Sequence, residues 1–239
     1  MNDQKKISTC FLPVLFEKYT NPDSIVAVID VLRATSVIST AFHYGIKEII
    51  PVQSLEEAKN YQGKENYIVA AERNAMPVDG FDYGNSPFHY MNDKVKNKTL
   101  VLTTTNGTKA LKMAENHQYI TASFVNFEAI VNYLIAQNKD VILLCSGWKG
   151  FFNLEDSIFA GKLAESLIQK GFQNNNDSTI AAIHLFKNVD TDLFSFLSNS
   201  SHRKRLKSLN MEEDTKFCLN SNFQSNIVPI LKDGKLIKV

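Results

Sequence analysis

The chain has 239 residues, of which 44% are hydrophobic and 21% charged, a balance typical of folded globular proteins and not of disordered chains. Lysine and arginine number 26 against 25 aspartates and glutamates, so the chain lacks the basic excess that marks nucleic-acid or membrane-surface binding. No apolar run approaches the ~18 residues that a membrane span requires, and the N-terminus lacks the apolar core of a signal peptide. We therefore expect a cytoplasmic protein with no nucleic-acid and no membrane partner.

Short apolar runs alternate with amphipathic stretches over the first two thirds of the chain, as in βα units. The predicted strands are Ile25–Asp30, Glu48–Val52, Tyr67–Ala71, Leu100–Thr104, Tyr119–Ala122 and Val141–Cys145. The predicted helices are Ser36–Tyr44, Leu55–Tyr61, Thr108–Asn116, Phe127–Gln137 and Asp156–Gln169. Continuous apolar strands suit a sheet that is covered on both faces. We therefore predict an α/β fold, a three-layer α/β/α sandwich with a largely parallel or mixed sheet.

A polar run at residues 173–177 predicts a loop before the C-terminal segment. The elements predicted beyond it are helices at Ile180–Phe186 and Leu193–Leu197 and short strands at Phe217–Leu219, Ile227–Leu231 and Leu236–Val239. The basic run Arg203–Arg205 is interpreted as a solvated helix face in preference to a polyanion site, because the chain as a whole is neutral. We expect the segment to complete the same sheet, so that residues 1–239 form a single domain.

The segments IDVLRATSVISTAF and LTTTNGTKALKMA resemble each other weakly. Each is predicted to contain a strand, a polar turn and the start of a helix. Such turns lie at the carboxyl ends of parallel strands, where open α/β sheets bind ligands. The resemblance could reflect two related halves of the chain or only the geometry that all βα units share, and both explanations remain open.

The first candidate motif places a carboxylate and a guanidinium at a strand end. Asp30 follows five apolar residues, and Arg33 follows three positions later. One interpretation is a structural Asp–Arg pair, since burying both groups unpaired would be costly. The other is a magnesium ligand beside an arginine that binds phosphate. Glu72 and Arg73 repeat the same pair of residue types after another predicted strand, which favours a site for a metal and an anion.

A second motif is the polar turn Thr103–Thr108, which lies between a predicted strand and a predicted helix. Hydroxyl groups, a glycine and the free amides of a helix start are the components of an anion-binding turn. The alternative is ordinary helix capping. Three consecutive threonines exceed what capping requires, and we favour the anion-binding turn.

Two further segments carry weaker signals. The segment GFDYGNSP contains Asn85 and Ser86 ahead of a proline, and as a turn it needs no function. Glu155 and Asp156 stand at the start of a long predicted helix, where the helix dipole alone favours acids. They are also candidate metal ligands.

The cysteines and histidines give no sign of a zinc site or a disulfide framework. Cys10, Cys145 and Cys218 are widely spaced, and Cys145, which follows an apolar run, is expected to be an inert core thiol. The histidines have no zinc-site spacing and are interpreted as ordinary residues; they are His43, His89, His117, His184 and His202.

The order of these motifs, IDVLRATS, AER, GFDYGNSP, TTTNGT, CSG and LEDSIFAG, resembles the 2-phosphosulfolactate phosphatase family. The resemblance continues through MEEDTKFCL and IVPIL and spans most of the chain. It implies a Mg²⁺-dependent, homodimeric phosphatase with a three-layer α/β fold. Such an enzyme removes phosphate from 2-phospho-3-sulfolactate on the route to coenzyme M. The departures, Ser146 in the CSG motif and Asn74-Ala75 after AER, concern the fit of the substrate more than the type of reaction.

The resemblance and the residue chemistry together assign roles. The expected Mg²⁺ ligands are Asp30, Glu72 and Asp156, with Glu155 in reserve. The expected phosphate-binding groups are Arg33 and the turn residues Thr104, Thr105, Asn106, Gly107 and Thr108. The groups expected to face the carboxylate or sulfonate of the substrate are Arg73, Asn85 and Ser86. The residues expected to take part in catalysis are Asp30, Arg33 and Glu72.

Two other classes of function stay open. The same turns and arginines would suit a non-catalytic module that binds a phosphorylated small anion, although extra carboxylates without a metal would repel that ligand. A sugar-phosphate isomerase or lyase would use Glu72 as a base and would release no phosphate. Within the phosphatase interpretation, attack by metal-activated water is simpler than a phosphoenzyme, but the sequence does not decide between them.

Overall fold

The computed structural model describes residues 4–19, 21–220 and 222–239. The strands are β1 (Lys6–Cys10), β2 (Ile25–Ile29), β3 (Glu48–Pro51), β4 (Tyr67–Arg73), β5 (Met76–Pro77), β6 (Thr99–Thr103), β7 (Gln118–Ala122), β8 (Val141–Cys145), β9 (Gln173–Asn174), β10 (Pro229–Lys232) and β11 (Lys235–Lys238). The helices are α1 (Ala34–His43), α2 (Leu55–Lys59), α3 (Gly107–Met113), α4 (Phe127–Gln137), α5 (Leu154–Gln169), α6 (Asp177–Lys187), α7 (Leu193–Phe196), α8 (Ser201–Ser208) and α9 (Glu212–Leu219). The prediction of an α/β fold with helices on both sides of a mixed sheet is confirmed.

The described strands form one sheet in the order β5-β4-β6-β3-β11-β10-β7-β2-β8-β1-β9. One parallel group contains β7, β2, β8, β1 and β9, and a second contains β3, β6 and β4. The antiparallel hairpin β10–β11 joins the groups through antiparallel contacts with β7 and β3. The C-terminal strands therefore lie inside the sheet and not at its edge.

The central strand β2 explains why its sequence is apolar throughout. Ile25, Ala27 and Ile29 face one buried cluster, which also contains side chains of α4 and α5. Val26 and Val28 face a second cluster, which also contains side chains of α1 and α3. Because successive strand residues point to opposite faces, a strand covered on both sides needs apolar residues at every position.

The sheet does not stay flat between its two parallel groups. Strands β6 and β2 are separated by five neighbouring pairs, over which a twist of about 20–25° per pair accumulates to more than about 100°. Both groups contribute side chains to the cluster that contains α1 and α3. The chain turns that follow β2 and β6 can therefore meet, although the two strands are far apart in the sheet.

The predicted strand Phe217–Leu219 is wrong, because these residues end helix α9. Three acidic residues at positions 212–214 occupy the first turn of α9, where the positive end of the helix dipole stabilises them. The buried residues of α9 follow helical spacing; they are Asp214, Thr215, Cys218 and Leu219. The apolar triplet is thus one side of a helix.

The structure also differs from the prediction at the N-terminus and in the polar run at residues 173–177. Strand β1, which pairs with β8, was not predicted, because Ser8 and Thr9 interrupt its apolar residues and tertiary pairing decides its conformation. The run at residues 173–177 is not simply a loop. Its first two residues form β9, and the Asn176 side chain caps α6 by accepting a hydrogen bond from the Thr179 amide at 3.0 Å.

The interpretation of Arg203–Arg205 as a solvated face is wrong for both arginines. The Arg203 guanidinium carbon lies 3.7 Å from the Phe194 ring centroid, and that of Arg205 lies 4.0 Å from the Trp148 ring centroid. Lys204 between them is exposed. A planar guanidinium can stack on an aromatic ring while it keeps its charge, so neutrality of the whole chain does not predict exposure.

Across the described ranges, none of the helices combines the length and apolar character needed to cross a membrane.

We expect Gly161→Ala to destabilise the protein, because a Cβ atom at Gly161 of α5 would lie 1.9 Å from the carbonyl oxygen of Ala182 in α6. Alanine normally stabilises a helix interior by about 1 kcal/mol relative to glycine, so a net loss isolates the packing effect. Thermal or urea unfolding should show a loss of about 1–3 kcal/mol. Ser166→Ala in the same helix is the control, and unchanged stability of Gly161→Ala would contradict the close contact.

Candidate active site

A cleft of about 330 Å³, including its open mouth, lies where the turns after β2 and β6 meet. Its lining residues are Asp30, Leu32, Arg33, Glu72, Ala75, Asn85, Thr104, Thr105, Asn106, Trp148, His202, Arg205 and Leu206. Asp30, Arg33 and Glu72, which the sequence marked as one group, line it together.

Asp30 lies at the end of β2 and is 7% exposed. Its backbone is fixed by Thr35, whose hydroxyl donates to the Asp30 carbonyl at 2.9 Å. Within the described part of the chain, the Asp30 carboxylate accepts one long hydrogen bond, at 3.4 Å, from the Ala34 amide. Burial raises the pKa of Asp30 to about 6; the charge of His202 opposes this shift, and the charges of Glu72 and Glu155 add to it. Asp30 is thus a buried carboxylate with few hydrogen bonds.

The structural interpretation of the motif expected Arg33 to pair with Asp30, but Arg33 has other partners. Its guanidinium donates to the Asp214 carboxylate of α9 and to the Ala75 carbonyl, the latter at 2.5 Å. The peptide bond between Leu32 and Arg33 is cis. Arg33 therefore connects the end of β2 to both the β4–β5 turn and the C-terminal segment.

Glu72 connects the β4–β5 turn to the turn that follows β6. One carboxylate oxygen accepts hydrogen bonds from the Ala75 amide and from the Thr105 hydroxyl, the latter at 3.0 Å. The other accepts from the Thr105 amide at 3.0 Å. Because Glu72 accepts hydrogen bonds from both Ala75 and Thr105, it holds two loops of the cleft together.

The threonine turn caps helix α3, and its role in anion binding stays a prediction. The Thr104 amide donates to the Thr108 hydroxyl at 3.3 Å and the Thr108 amide donates to the Thr104 hydroxyl at 3.1 Å, a reciprocal cap of α3. The amides of Asn106 and Gly107 meet no acceptor in the described part of the chain. A Cβ on Gly107 would lie 2.7 Å from an Asp30 carboxylate oxygen, so only glycine lets this turn approach Asp30 so closely.

Glu155 and Asp156 lie behind the cleft at the start of α5 and do not line it. Asp156 accepts from the Val31 amide at 2.9 Å and from the Ser146 hydroxyl at 3.2 Å. Burial, followed by the charges of Glu155 and Asp30, raises its pKa well above the ordinary value. Asp156 thus holds the strand-end turn of β2 in place.

His202, interpreted from the sequence as ordinary, belongs to the site. Its Nδ1 atom lies 2.5 Å from a Glu155 oxygen, and the ring lines the cleft. The other Glu155 oxygen is buried and has no hydrogen-bond partner in the described ranges. No local spacing pattern indicates this pair, because 47 positions separate the two residues.

The residues assigned to the acidic part of the substrate are only partly brought together. Arg73 does not line the cleft; it donates to the Glu72 carbonyl at 2.6 Å and to the Thr103 hydroxyl at 2.9 Å. Asn85 lines the cleft, and its buried side-chain oxygen has no partner within the described residues. Ser86 donates to Asp214 at 3.0 Å. Their role in substrate binding stays a prediction.

Sequence reasoning missed the contribution of the C-terminal segment. Helix α8 places His202, Arg205 and Leu206 on one face, at the i, i+3, i+4 spacing of a helix side. Asp214 of α9 anchors Arg33. The segment MEEDTKFCL was noted only as part of the resemblance, and helical spacing of its buried residues was the signal that could have placed Asp214.

No three His, Cys, Asp or Glu side chains of the described ranges converge as a complete metal site. Asp30, however, lines the cleft with few hydrogen bonds, and Glu155 has a buried oxygen without a partner. Mg²⁺ is commonly held by one or two carboxylates, waters and substrate phosphate, and its charge would favour the ionised form of Asp30, whose pKa is raised chiefly by burial.

All three cysteines are buried and free. Burial raises the pKa of the Cys145 thiol well above its ordinary value and that of Cys10 to about 11. A thiol that resists ionisation is a poor nucleophile, which agrees with the interpretation of Cys145 as a core residue.

A polar cleft with carboxylates, arginines and an amide-bearing turn at the strand ends of an α/β sheet defines a site for a small anionic ligand. The family model described as 2-phosphosulpholactate phosphatase matches residues 10–234. The chain belongs to this family, which places it among the phosphoric monoester hydrolases.

Similar proteins from several bacteria carry the same name. A probable 2-phosphosulfolactate phosphatase of Caldanaerobacter subterraneus subsp. tengcongensis is 41% identical over 214 residues, which cover 87% of this chain and 88% of that protein. The protein of this name from Thermotoga petrophila is 41% identical over 88% of this chain and 90% of its own length. One from Clostridium botulinum is 34% identical over 91% of this chain and 92% of its own.

We expect Asp30→Asn to stabilise the fold at high pH while it removes activity. The ordinary pKa of 3.8 rises to about 6 in the folded protein, so the wild type loses stability as pH rises through 6. An amide carries no charge at any pH and avoids this loss. Thermal and urea unfolding should show a gain of about 2–3 kcal/mol at pH 8 that has largely disappeared by pH 4.

The matched control is Asp23→Asn, the same change at an exposed position, for which no pH-dependent gain is expected. If Asp30→Asn is no more stable than the wild type at pH 8, burial does not penalise the charged form of the Asp30 carboxylate as described above.

Proposed function

We propose that this chain is a Mg²⁺-dependent phosphatase that hydrolyses 2-phospho-3-sulfolactate to 3-sulfolactate and inorganic phosphate. The observation that carries the proposal is the meeting of Asp30 and the amide-bearing turn at Gly107 within one small cleft. That arrangement places a potential metal ligand beside potential phosphate donors. The names of the related proteins support the choice of substrate.

Asp30 is our first candidate for the Mg²⁺ ligand, because it lines the cleft and has few hydrogen bonds. Glu72, whose oxygens already accept from Thr105 and Ala75, is the second. A bound magnesium ion would supply charge to the phosphoryl oxygens and lower the pKa of a coordinated water. Glu155 and Asp156 would act from behind the cleft by orienting His202 and the Val31 turn.

Arg33 and the threonine turn would bind the phosphoryl oxygens. The contacts with Asp214 and Ala75 fix the guanidinium plane before a ligand arrives, and a guanidinium has five N–H donors, so others remain for an anion. The Asn106 and Gly107 amides can add two neutral donors. Donors fixed in this way stabilise the charge that develops in phosphoryl transfer without reorganising.

The homodimer and a place on the route to coenzyme M are proposals that rest on the family resemblance alone. The proposed cytoplasmic location rests on the sequence features given above.

The direct test is phosphate release by the purified protein from 2-phosphosulfolactate, 2-phospholactate and p-nitrophenyl phosphate, with Mg²⁺ and with excess chelator. We expect release with Mg²⁺, fastest for 2-phosphosulfolactate, and loss of release in chelator that added Mg²⁺ restores. Full activity in chelator would exclude the metal. Binding without release would indicate the anion-binding module, and an isomeric product without free phosphate would indicate the isomerase or lyase.

We expect Arg33→Lys to lower kcat/KM by about 100-fold, because lysine keeps a positive charge but loses the planar fork that contacts two oxygens. Both kinetics and melting should be measured. Asp214→Asn is the comparison, since it breaks the Arg33 ion pair and leaves the guanidinium intact. If Arg33 serves only to anchor Asp214, both variants will melt earlier by similar amounts and will turn over normally below their melting temperatures.

A further inference from the structure

Arg205 differs from Arg33, the other arginine that lines the cleft, in having no ion-pair partner among the described residues. It lines the cleft from α8, and no carboxylate of the described residues lies within 4.0 Å to form an ion pair with it. Its Nε atom is buried and has no acceptor among those residues. Arg33, by contrast, is bound to Asp214, and Arg203, on the same helix, lies 3.8 Å from Glu212.

The Trp148 ring holds the Arg205 guanidinium at a centroid distance of 4.0 Å. Stacking occupies a face of the guanidinium and leaves its N–H donors, which point outward in the plane, free to bind an anion. A partner carboxylate would instead neutralise the charge. The stack thus positions an arginine whose charge remains available.

Trp148 is itself fixed to the threonine turn. Its amide and that of Phe151 donate to each other's carbonyl oxygens at 2.9 Å, which closes the loop between β8 and α5. The neighbouring Lys149 amide donates to the Asn106 side chain at 3.2 Å. The position of Arg205 relative to the turn that would hold the phosphate is therefore set by a continuous chain of contacts.

The acids near Arg205 act on it only through space. Burial lowers the pKa of its guanidinium, and the charges of Glu72, Glu155 and Asp30 oppose that shift. An arginine that is partly withdrawn from water without a bound counter-ion has unsatisfied binding capacity for an incoming anion.

We propose that Arg205, held by Trp148, binds the acidic substituent of the substrate that is not transferred, the sulfonate or carboxylate of the 2-phospho acid. Arg205 thereby takes the role that the sequence assigned to Arg73. The kinetic test of this proposal rests on the proposed phosphatase function. The binding test does not. It makes Arg205 the residue that distinguishes a multiply charged ester from a simple alkyl phosphate.

The kinetic test compares Arg205→Gln with Lys204→Gln, which removes one positive charge from an exposed position of the same helix. The substrates are 2-phosphosulfolactate, 2-phospholactate, which lacks the sulfonate, and isopropyl phosphate, which lacks both acids. We expect Arg205→Gln to lower kcat/KM for 2-phosphosulfolactate by about 10- to 100-fold and for isopropyl phosphate by less than about 3-fold. The response of 2-phospholactate tells which acid is bound. Lys204→Gln should leave all three values unchanged.

The binding test uses Trp148, the one tryptophan of the chain, as a fluorescent reporter. We titrate 3-sulfolactate and inorganic phosphate separately in the presence of Mg²⁺. Arg205→Gln should weaken 3-sulfolactate by at least about 10-fold and phosphate by less than about 3-fold. This measurement decides the role of Arg205 even if the protein hydrolyses none of the esters.

If Arg205→Gln lowers kcat/KM equally for all three esters, or weakens both ligands equally, Arg205 binds the phosphoryl group. If the variant changes neither kcat/KM nor affinity, Arg205 binds no part of the substrate. Either result overturns the proposal. If Arg205→Gln melts too early to assay, Arg205→Lys provides the same comparison. We expect it to keep the charge but lose part of the preference for 2-phosphosulfolactate, because lysine has neither the fork nor the stack.

Discussion

The burial of four carboxylates in one region is the constraint on which the rest of the site depends; they are Asp30, Glu72, Glu155 and Asp156. Burial raises the pKa of Asp30 and of Asp156, and the charges of neighbouring carboxylates add to both shifts. The surrounding chain offsets this cost with backbone amides, a serine hydroxyl and a histidine. Asp30, which faces the cleft, receives the least of this support. The fold thus concentrates its unsatisfied negative charge at the point where a ligand enters.

The C-terminal segment is part of this arrangement and not an addition to the sheet. Helix α9 supplies Asp214 to Arg33, and α8 supplies His202 to Glu155. Both contacts join residues from the first two thirds of the chain to the last third. The hairpin β10–β11 fills the gap between the two parallel groups of strands. The cleft therefore forms only when the whole chain has folded, which agrees with a family match that extends from residue 10 to residue 234.

Strands and helices that follow from local sequence patterns were predicted, whereas residues placed by long-range contacts were missed. The six strands and five helices that were predicted before the polar run at residues 173–177 lie close to their predicted positions, because apolar runs and amphipathic periods determine them. The strand-end residues Asp30 and Glu72 were predicted to share a site, and both line the cleft. Helix α9 was misread as a strand because three apolar residues were weighed without the helical spacing around them. His202 and Arg205 were missed because their partners, Glu155 and Trp148, lie about 50 positions away and no local pattern records such a contact.

The two cleft arginines illustrate how the same side chain can be fixed in two ways with different consequences. An ion pair with Asp214 fixes Arg33 in direction but offsets its charge. A stack on Trp148 fixes Arg205 and leaves its charge uncompensated. A substrate with a phosphate, a carboxylate and a sulfonate carries several negative charges into a cleft already lined by Asp30 and Glu72. Binding such a substrate requires positive charge that no carboxylate of the protein already pairs with. Among the arginines that line the cleft, Arg205 has such a charge. The proposed divalent cation would supply a second positive charge beside Asp30.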